Sequence, residues 1–245
     1  MKLDLNADLG EGCGDDAALM QVITSANICC GLHAGGPVLM AQTMAAAARA
    51  DVGIGAHPGF DDRANFGRTR QHLGTDDLTA LITYQTGAAQ AVARAQGLRL
   101  RHFKLHGALA NMASEDAGLA RACYRAARAV APDLVLMVLA ATAQEQAARE
   151  IGGDWAGEIF ADRAYNDDAT LVDRALPGAV LHDPHAAAAR ILEMLRAGAI
   201  IAGSGHRIPA RIDTVCLHGD TPEALAMARA LRTALQGAGV TLAAL

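Results

Sequence analysis

The chain has 245 residues, enough for one α/β barrel or one large doubly wound sheet, and 52% of them are apolar, so a sizeable core can be buried. Aromatics make up only 3%, and the formal net charge of −5 comes from arginines scattered among acids, which excludes a disordered chain and a basic nucleic-acid-binding stripe. The cysteines, Cys13, Cys29, Cys30, Cys123 and Cys216, form no C-x-x-C pair, which excludes a disulfide framework and predicts a reducing compartment.

The opening MKLDLNADLGEG brings acids at once with no apolar h-region, so no secretory signal is expected. No apolar stretch is long enough to span a bilayer, and a cytoplasmic protein with no membrane partner is predicted. Residues 2–6 alternate polar and apolar as a strand does. Pro37 opens an alanine-rich helix to about Ala50, and 51–57 is short and β-like. A loop with Gly and Arg covers 58–74. Thr75 is placed as the N-cap of a helix that runs to about Gly97.

The alternation continues with a strand at 100–106 and a helix capped by Ser114 and stopped by Pro132. Residues 134–139 read as a buried apolar strand, followed by a helix through 144–150. Short strands are expected at 157–161 and 179–181. Asp183-Pro184 starts a helix ending near Gly198, 213–218 is another strand, and Thr221-Pro222-Glu223 opens a last helix closing at Gly237 or Gly239. Strand–helix alternation with crossover-length connections predicts a parallel sheet wrapped in helices. About seven or eight βα units favour a closed barrel, one domain over 1–245.

The informative feature is how these segments end. CGLH, GIGAH, FKLH and VCLH finish on His33, His57, His106 and His218, and the first strand leads to Asn6 and Asp8. In parallel α/β folds, ligands sit at the C-terminal ends of strands. Residues two apart share a face, so Asp4, Asn6 and Asp8 project together, as do His102, Lys104 and His106, or Glu158, Phe160 and Asp162, or Thr214, Cys216 and His218. The opposite faces carry Leu3, Leu5, Phe103, Leu105, Ile159, Val215 and Leu217, which suit the outer helices. Gly53 and Gly55 leave room beside His57. A single strand-end histidine is more often structural, whereas a shared rim of ionisable groups points to a site.

Lys104 is a candidate stabiliser of a phosphate or oxyanion, or else an internal ion pair with Asp4 or Glu158. Asp8 and Glu11 are candidates for a general base or for holding a water or cation; for Glu11 a solvated carboxylate is the plain alternative. The loop 10–14 offers backbone N–H groups to an anion. Arg63, Arg68 and Arg70 in the 58–74 loop form either a cationic lid or a solvated surface, and Ser204-Gly205-His206-Arg207 is a weaker candidate. There is no P-loop, Rossmann fingerprint, G-x-S-x-G elbow or H-E-x-x-H. A metal held by His33, His57 and His106 with a carboxylate is physically allowed.

Six ordered blocks carry a resemblance over nearly the whole chain: DLNADLGEG from Asp4, SANICCGLHAGGP from Ser25, VGIGAHPGF from Val52, HFKLHGALAN from His102, GEIFADRAY from Gly157 and VCLHGD from Val215. In them the chain resembles the LamB/YcsF family, the A subunits of prokaryotic 5-oxoprolinase. The resemblance implies a modified (β/α) barrel similar to that of polysaccharide deacetylases. It implies hydrolysis of 5-oxo-L-proline to L-glutamate with ATP as co-substrate, Mg accompanying the ATP, and partner subunits B and C. Its blocks put functional residues on Asp8, Glu11, Asn27, His33, His57, Lys104, His106, Glu158, Asp162, Arg163 and His218; we infer catalytic roles for Asp8, Glu11, His57, Lys104, His106, Asp162 and Arg163, and substrate contacts for Asn6, Asn27, His33, Glu158 and His218. Leu105, Ala110 and Gly36 depart from the family pattern, standing where a proline, a tyrosine and an acid are usual. The rival readings are a metal-dependent amidohydrolase or deacetylase and a non-catalytic lactam- or sugar-binding subunit.

Overall fold

The structure, a computed structural model, describes residues 1–217 and 224–245. Its strands are β1 (Lys2–Leu9), β2 (Ser25–Cys29), β3 (Gly53–His57), β4 (Leu100–Phe103), β5 (Val135–Leu139), β6 (Trp155–Phe160), β7 (Ala199–Ile201), β8 (Arg207–Pro209), β9 (Thr214–Leu217) and β10 (Thr241–Leu242). Seven of them, β1 to β6 and β9, pair in parallel in the order β1-β2-β3-β4-β5-β6-β9, and β9 closes back on β1. The barrel expected from the alternation is therefore present, with seven staves. The short β10 extends the outer end of β1, and β7 and β8 form a separate antiparallel hairpin. Neither of these was anticipated.

The helices are α1 (Asp16–Leu19), α2 (Pro37–Arg49), α3 (Thr75–Ala95), α4 (Gly107–Glu115), α5 (Ala117–Val130), α6 (Ala143–Ile151), α7 (Pro184–Ala197) and α8 (Ala224–Gly237). Asp183 caps α7 by accepting from the His185 and Ala186 N–H groups, and Gly198 closes it at φ +58. Other boundaries differ from expectation. Ser114 lies inside α4, and Asp116 caps α5 through the Gly118 and Leu119 N–H groups. An aspartate accepts two N–H bonds there while Ser114 donates to the Asn111 carbonyl. α5 ends at Val130, two residues before Pro132. Thr75 is the first helical residue of α3, not its cap. The segment 179–181 is not a strand: it makes a single bridge, Val180 to Arg163. The opening of α8 at 221–223 lies outside the described residues.

The alternation along the strands sorts as expected. Leu3, Leu5, Phe103, Leu105, Ile159, Val215 and Leu217 are all buried against the outer helices. Asp4, Asn6, Asn27, His102, Glu158, Thr214 and Cys216 are equally buried, inside the barrel. Gly55 makes the crowded interior possible, because a Cβ there would sit 2.2 Å from the His102 ring. Isolated, so many buried polar groups would each cost about 1–3 kcal/mol. Their pairing removes most of that cost, leaving His102 Nδ1 without a partner.

Candidate active site

The lower barrel is a hydrogen-bond network in which His102 Nδ1 is left without a partner. The Asp4 carboxylate accepts from three hydroxyls, Thr24 and Ser25 at 2.7 Å and Thr214 at 2.6 Å. The Asn6 amide donates to Thr214 Oγ1 (2.7 Å) and Glu158 Oε1 (3.0 Å). The Asn27 amide donates to Asn6 Oδ1 (2.7 Å) and Asp8 Oδ1 (2.8 Å), and its Oδ1 accepts from His102 Nε2 at 2.7 Å. Burial pushes the His102 imidazole down to about 3, so it is neutral.

Lys104 stands at the centre of the next layer. Its Nζ is 3.0 Å from Asp8 Oδ1, 2.9 Å from Glu158 Oε1 and 2.9 Å from Cys216 Sγ, and lies 5.0 Å from the Phe160 ring centroid. Burial would lower its pKa, but Asp8, Cys216 and Glu158 outweigh burial and raise it well above the usual lysine range. Lys104 is thus a fixed ammonium, paired with Glu158 as one reading of the sequence held, and with Asp8 in place of Asp4.

Above it lies a histidine rim. His57 ends β3, among the described residues the one barrel strand that closes on a histidine as expected. β4 stops at Phe103, yet 104–106 stay extended because Lys104 N–H and His106 N–H donate to the Ala56 and Pro58 carbonyls. β2 stops at Cys29, and His33 returns to the rim through the following turn. His33 stacks on His106 with centroids 3.7 Å apart and planes 3° off parallel. Glu11, almost wholly buried, places Oε1 3.2 Å from His33 Nε2 and 3.4 Å from His106 Nδ1. Its solvated alternative is thereby corrected. His57 Nε2 lies 3.0 Å from His106 Nδ1 and 3.4 Å from Asp8 Oδ2. Burial lowers His33 to about 3 and holds His106 well below the imidazole range, with His33 and His57 adding to the latter.

The rim opens into a cavity of about 680 Å³ whose floor is Asp8, Glu11, His57, Lys104, His106 and Glu158. Met137 and Leu139 of β5 give it an apolar wall, and Arg68, Arg70, Arg163 and Arg174 stand around it. Its outer wall, 166–175, belongs to the long loop after β6, which no periodicity in the sequence marked. Arg163 is buried, with Nη2 donating to Val172 O (2.6 Å) and Nε to Ala179 O (3.4 Å), so it also braces that loop. Asp162 is buried but off the cavity wall, and its backbone carbonyl accepts from Leu181 N–H at 2.7 Å. His218 lies outside the described residues.

The 58–74 loop is exposed at Arg63, Arg68 and Arg70, as the solvated reading held, but it is anchored. Arg63 donates to the Gly35 and Gly31 carbonyls, Arg70 pairs with Glu115, and Phe66 (φ +56) turns its carbonyl to His106 Nε2 at 2.9 Å. Gly67 (φ +66) sits so close that a Cβ would meet both His106 and His33 at 2.8 Å. Ser204 to Arg207 lie at the exposed β7–β8 turn, away from the cavity. A neighbouring depression of about 730 Å³ is lined by Glu115, Glu145, Glu150 and Asp168 and contains none of the barrel's inner side chains. Of the departures noted above, Leu105 is buried, Ala110 lies on the cavity wall, and a Cβ at Gly36 would meet nothing within 4 Å.

Comparison with known proteins places these features in a lineage. The LamB/YcsF family model matches residues 3–245. A protein of Ruegeria pomeroyi, named as the A subunit of 5-oxoprolinase, is 58% identical, over 99% of this chain and 98% of its own length. The crystal structure of a lactam utilization protein from Thermus thermophilus superposes with a TM-score of 0.92 at 40% identity, covering 100% of both chains. A family 4 carbohydrate esterase from Streptomyces lividans, at 12% identity and TM-score 0.51 over 98% of this chain and 91% of its own, shares the barrel.

Proposed function

Because this chain belongs to the LamB/YcsF family, we propose that it is the A subunit of a 5-oxoprolinase, opening 5-oxo-L-proline to L-glutamate with ATP in a complex with subunits B and C. The observation that carries this reading is the named relative at 58% identity over the full length. The cavity supports it. A small lactam suits a chamber whose floor sets Lys104 among Asp8, Glu11 and Glu158, with four arginines around the wall.

The reaction needs help at three atoms. Transfer of the ATP γ-phosphoryl group to the lactam oxygen makes C5 electrophilic and releases ADP. Water adds to C5 and loses a proton to Asp8, the C5–N bond breaks as the ring nitrogen takes a proton, and a second water cleaves the resulting γ-glutamyl phosphate to glutamate and phosphate. Lys104, with Arg163 at the wall, opposes the negative charge that builds on oxygen. No P-loop is present, so the partner subunits are expected to share the nucleotide step. Magnesium suits oxygen ligands and enters with the nucleotide phosphates; the imidazole-rich rim does not fit it. No helix among the described residues is long and apolar enough to cross a membrane, and with the five free cysteines this supports a cytoplasmic complex.

ATP-dependent glutamate release from 5-oxoproline, assayed with and without candidate B and C subunits, tests the proposal. Turnover is expected only in the complete mixture. No release from any combination overturns it.

A further inference from the structure

We propose that the rim holds one divalent transition-metal ion, ligated by His57 Nε2, His106 Nδ1 and Glu11 Oε1, with His33 as the residue that positions Glu11. The inference does not depend on which reaction the chain catalyses. It rests on where the protons must be.

His57 Nδ1 is 3.0 Å from the Lys104 carbonyl and His106 Nε2 is 2.9 Å from the Phe66 carbonyl. A carbonyl only accepts, so both of these nitrogens carry hydrogen. The proton of each ring therefore points outward, and the lone pairs of His57 Nε2 and His106 Nδ1 face each other across 3.0 Å. Glu11 Oε1, a third acceptor, stands 3.4 Å from His106 Nδ1. Acceptors do not gather in this way without a positive centre between them.

Geometry selects the kind of centre. Four ligands bonded at about 2.05 Å in a tetrahedron stand about 3.3 Å apart, the spacing zinc-type sites require. Here the contacts are 3.0 and 3.4 Å, and the donor atoms of Glu11, His33, His57 and His106 all lie within 4.8 Å of one another. Both ligating histidines already donate their far N–H to a backbone carbonyl, the outer-shell arrangement that orients metal-bound imidazoles. Two imidazoles and one carboxylate suit zinc, cobalt or nickel, whereas magnesium prefers oxygen.

His33 has a different part. The Cys29 thiol donates to the Ala34 carbonyl (3.1 Å), so its sulfur accepts from His33 Nε2 at 3.2 Å. Glu11 Oε1 accepts from the same nitrogen at 3.2 Å. His33 Nε2 is thus protonated and cannot bind metal, while its Nδ1, buried and without a partner, needs no proton. The hydrogen bond aims the Glu11 carboxylate.

Cobalt(II) titration of chelator-treated protein, followed by visible absorption and by metal analysis after gel filtration, tests the site. About one equivalent per chain is expected, with d–d bands of tetrahedral intensity, displaced by zinc and untouched by millimolar magnesium. His106→Gln and Glu11→Gln should each remove retained cobalt, and His33→Asn should weaken affinity by about 10–100-fold. Negligible retention by the unmodified protein would overturn the proposal without recourse to any variant. So would retention unchanged in both ligand variants when their far-UV circular dichroism is native.

Discussion

The barrel's floor is built from hydroxyls, amides and carboxylates on the strands, its rim from histidines and Glu11 at and beyond the strand ends, and the two end in opposite states. At the floor each donor meets an acceptor: three hydroxyls surround Asp4, and amides link Asn6, Asn27, Asp8 and Glu158 into one net. At the rim, lone pairs of His57 and His106 confront each other. A network paired this fully, with only His102 Nδ1 of its named members unpartnered, contributes stability and specificity. An arrangement of converging acceptors is made to take something in.

Lys104 joins the two regions, and its removal should have the largest effect. Lys104→Met is expected to lower turnover of the reconstituted complex by at least about 1,000-fold. It should also cost about 3–5 kcal/mol in denaturant unfolding, since Asp8 and Glu158 would face each other uncompensated. A stable, active variant would collapse the distinction. Asp8→Asn should reduce turnover by about 100–10,000-fold; it also takes one charge from the buried pair with Lys104, so it should cost stability, though less than Lys104→Met because Glu158 still faces the ammonium, and near-normal turnover would remove Asp8 from the site.

Thr214→Val should act on stability alone. It removes the donor to Asp4 Oδ2 and one of the two acceptors of the Asn6 amide, so about 1–3 kcal/mol of stability should disappear while activity per folded molecule stays close to normal. The floor should also betray itself in acid. With His102 neutral down to about 3 when folded and titrating near 6.5 when unfolded, the unfolded chain binds the extra proton between those values. Stability is complete above pH 6.5 and falls by up to about 1.4 kcal/mol per pH unit on acidification below it. His102→Gln should reduce that slope, to which His33 and His106 contribute in the same direction, and an unchanged slope would refute the assignment. The smallest effect is expected outside both regions: Arg70→Ala removes a half-exposed pair with Glu115 and should change stability by less than about 1 kcal/mol.

The inner and outer faces of β1, β4, β6 and β9 were legible because a strand's period of two converts directly into direction. The turns were not. His33 reaches the rim through a turn after β2, and His106 through extended backbone beyond β4, so their neighbours depend on loop paths that no local pattern encodes. α4 was missed because it begins one residue after His106, where the sequence reads as the end of a strand. The cavity's outer wall at 166–175 comes from the loop after β6, whose shape is set by hydrogen bonds to Arg163 and Asn166 instead of by any periodic signal. The metal-type convergence emerges only when each imidazole's proton is traced to its carbonyl.

Gly55 carries a consequence far from its own position. The carbon it lacks is the space through which the imidazole on β4 crosses to the amide on β2, and that amide in turn grips the first carboxylate of the rim. Adding a single methyl there, as in Gly55→Ala, would be felt two strands away as a misdirected aspartate, a lesion of alignment whose origin no inspection of the reacting groups would reveal.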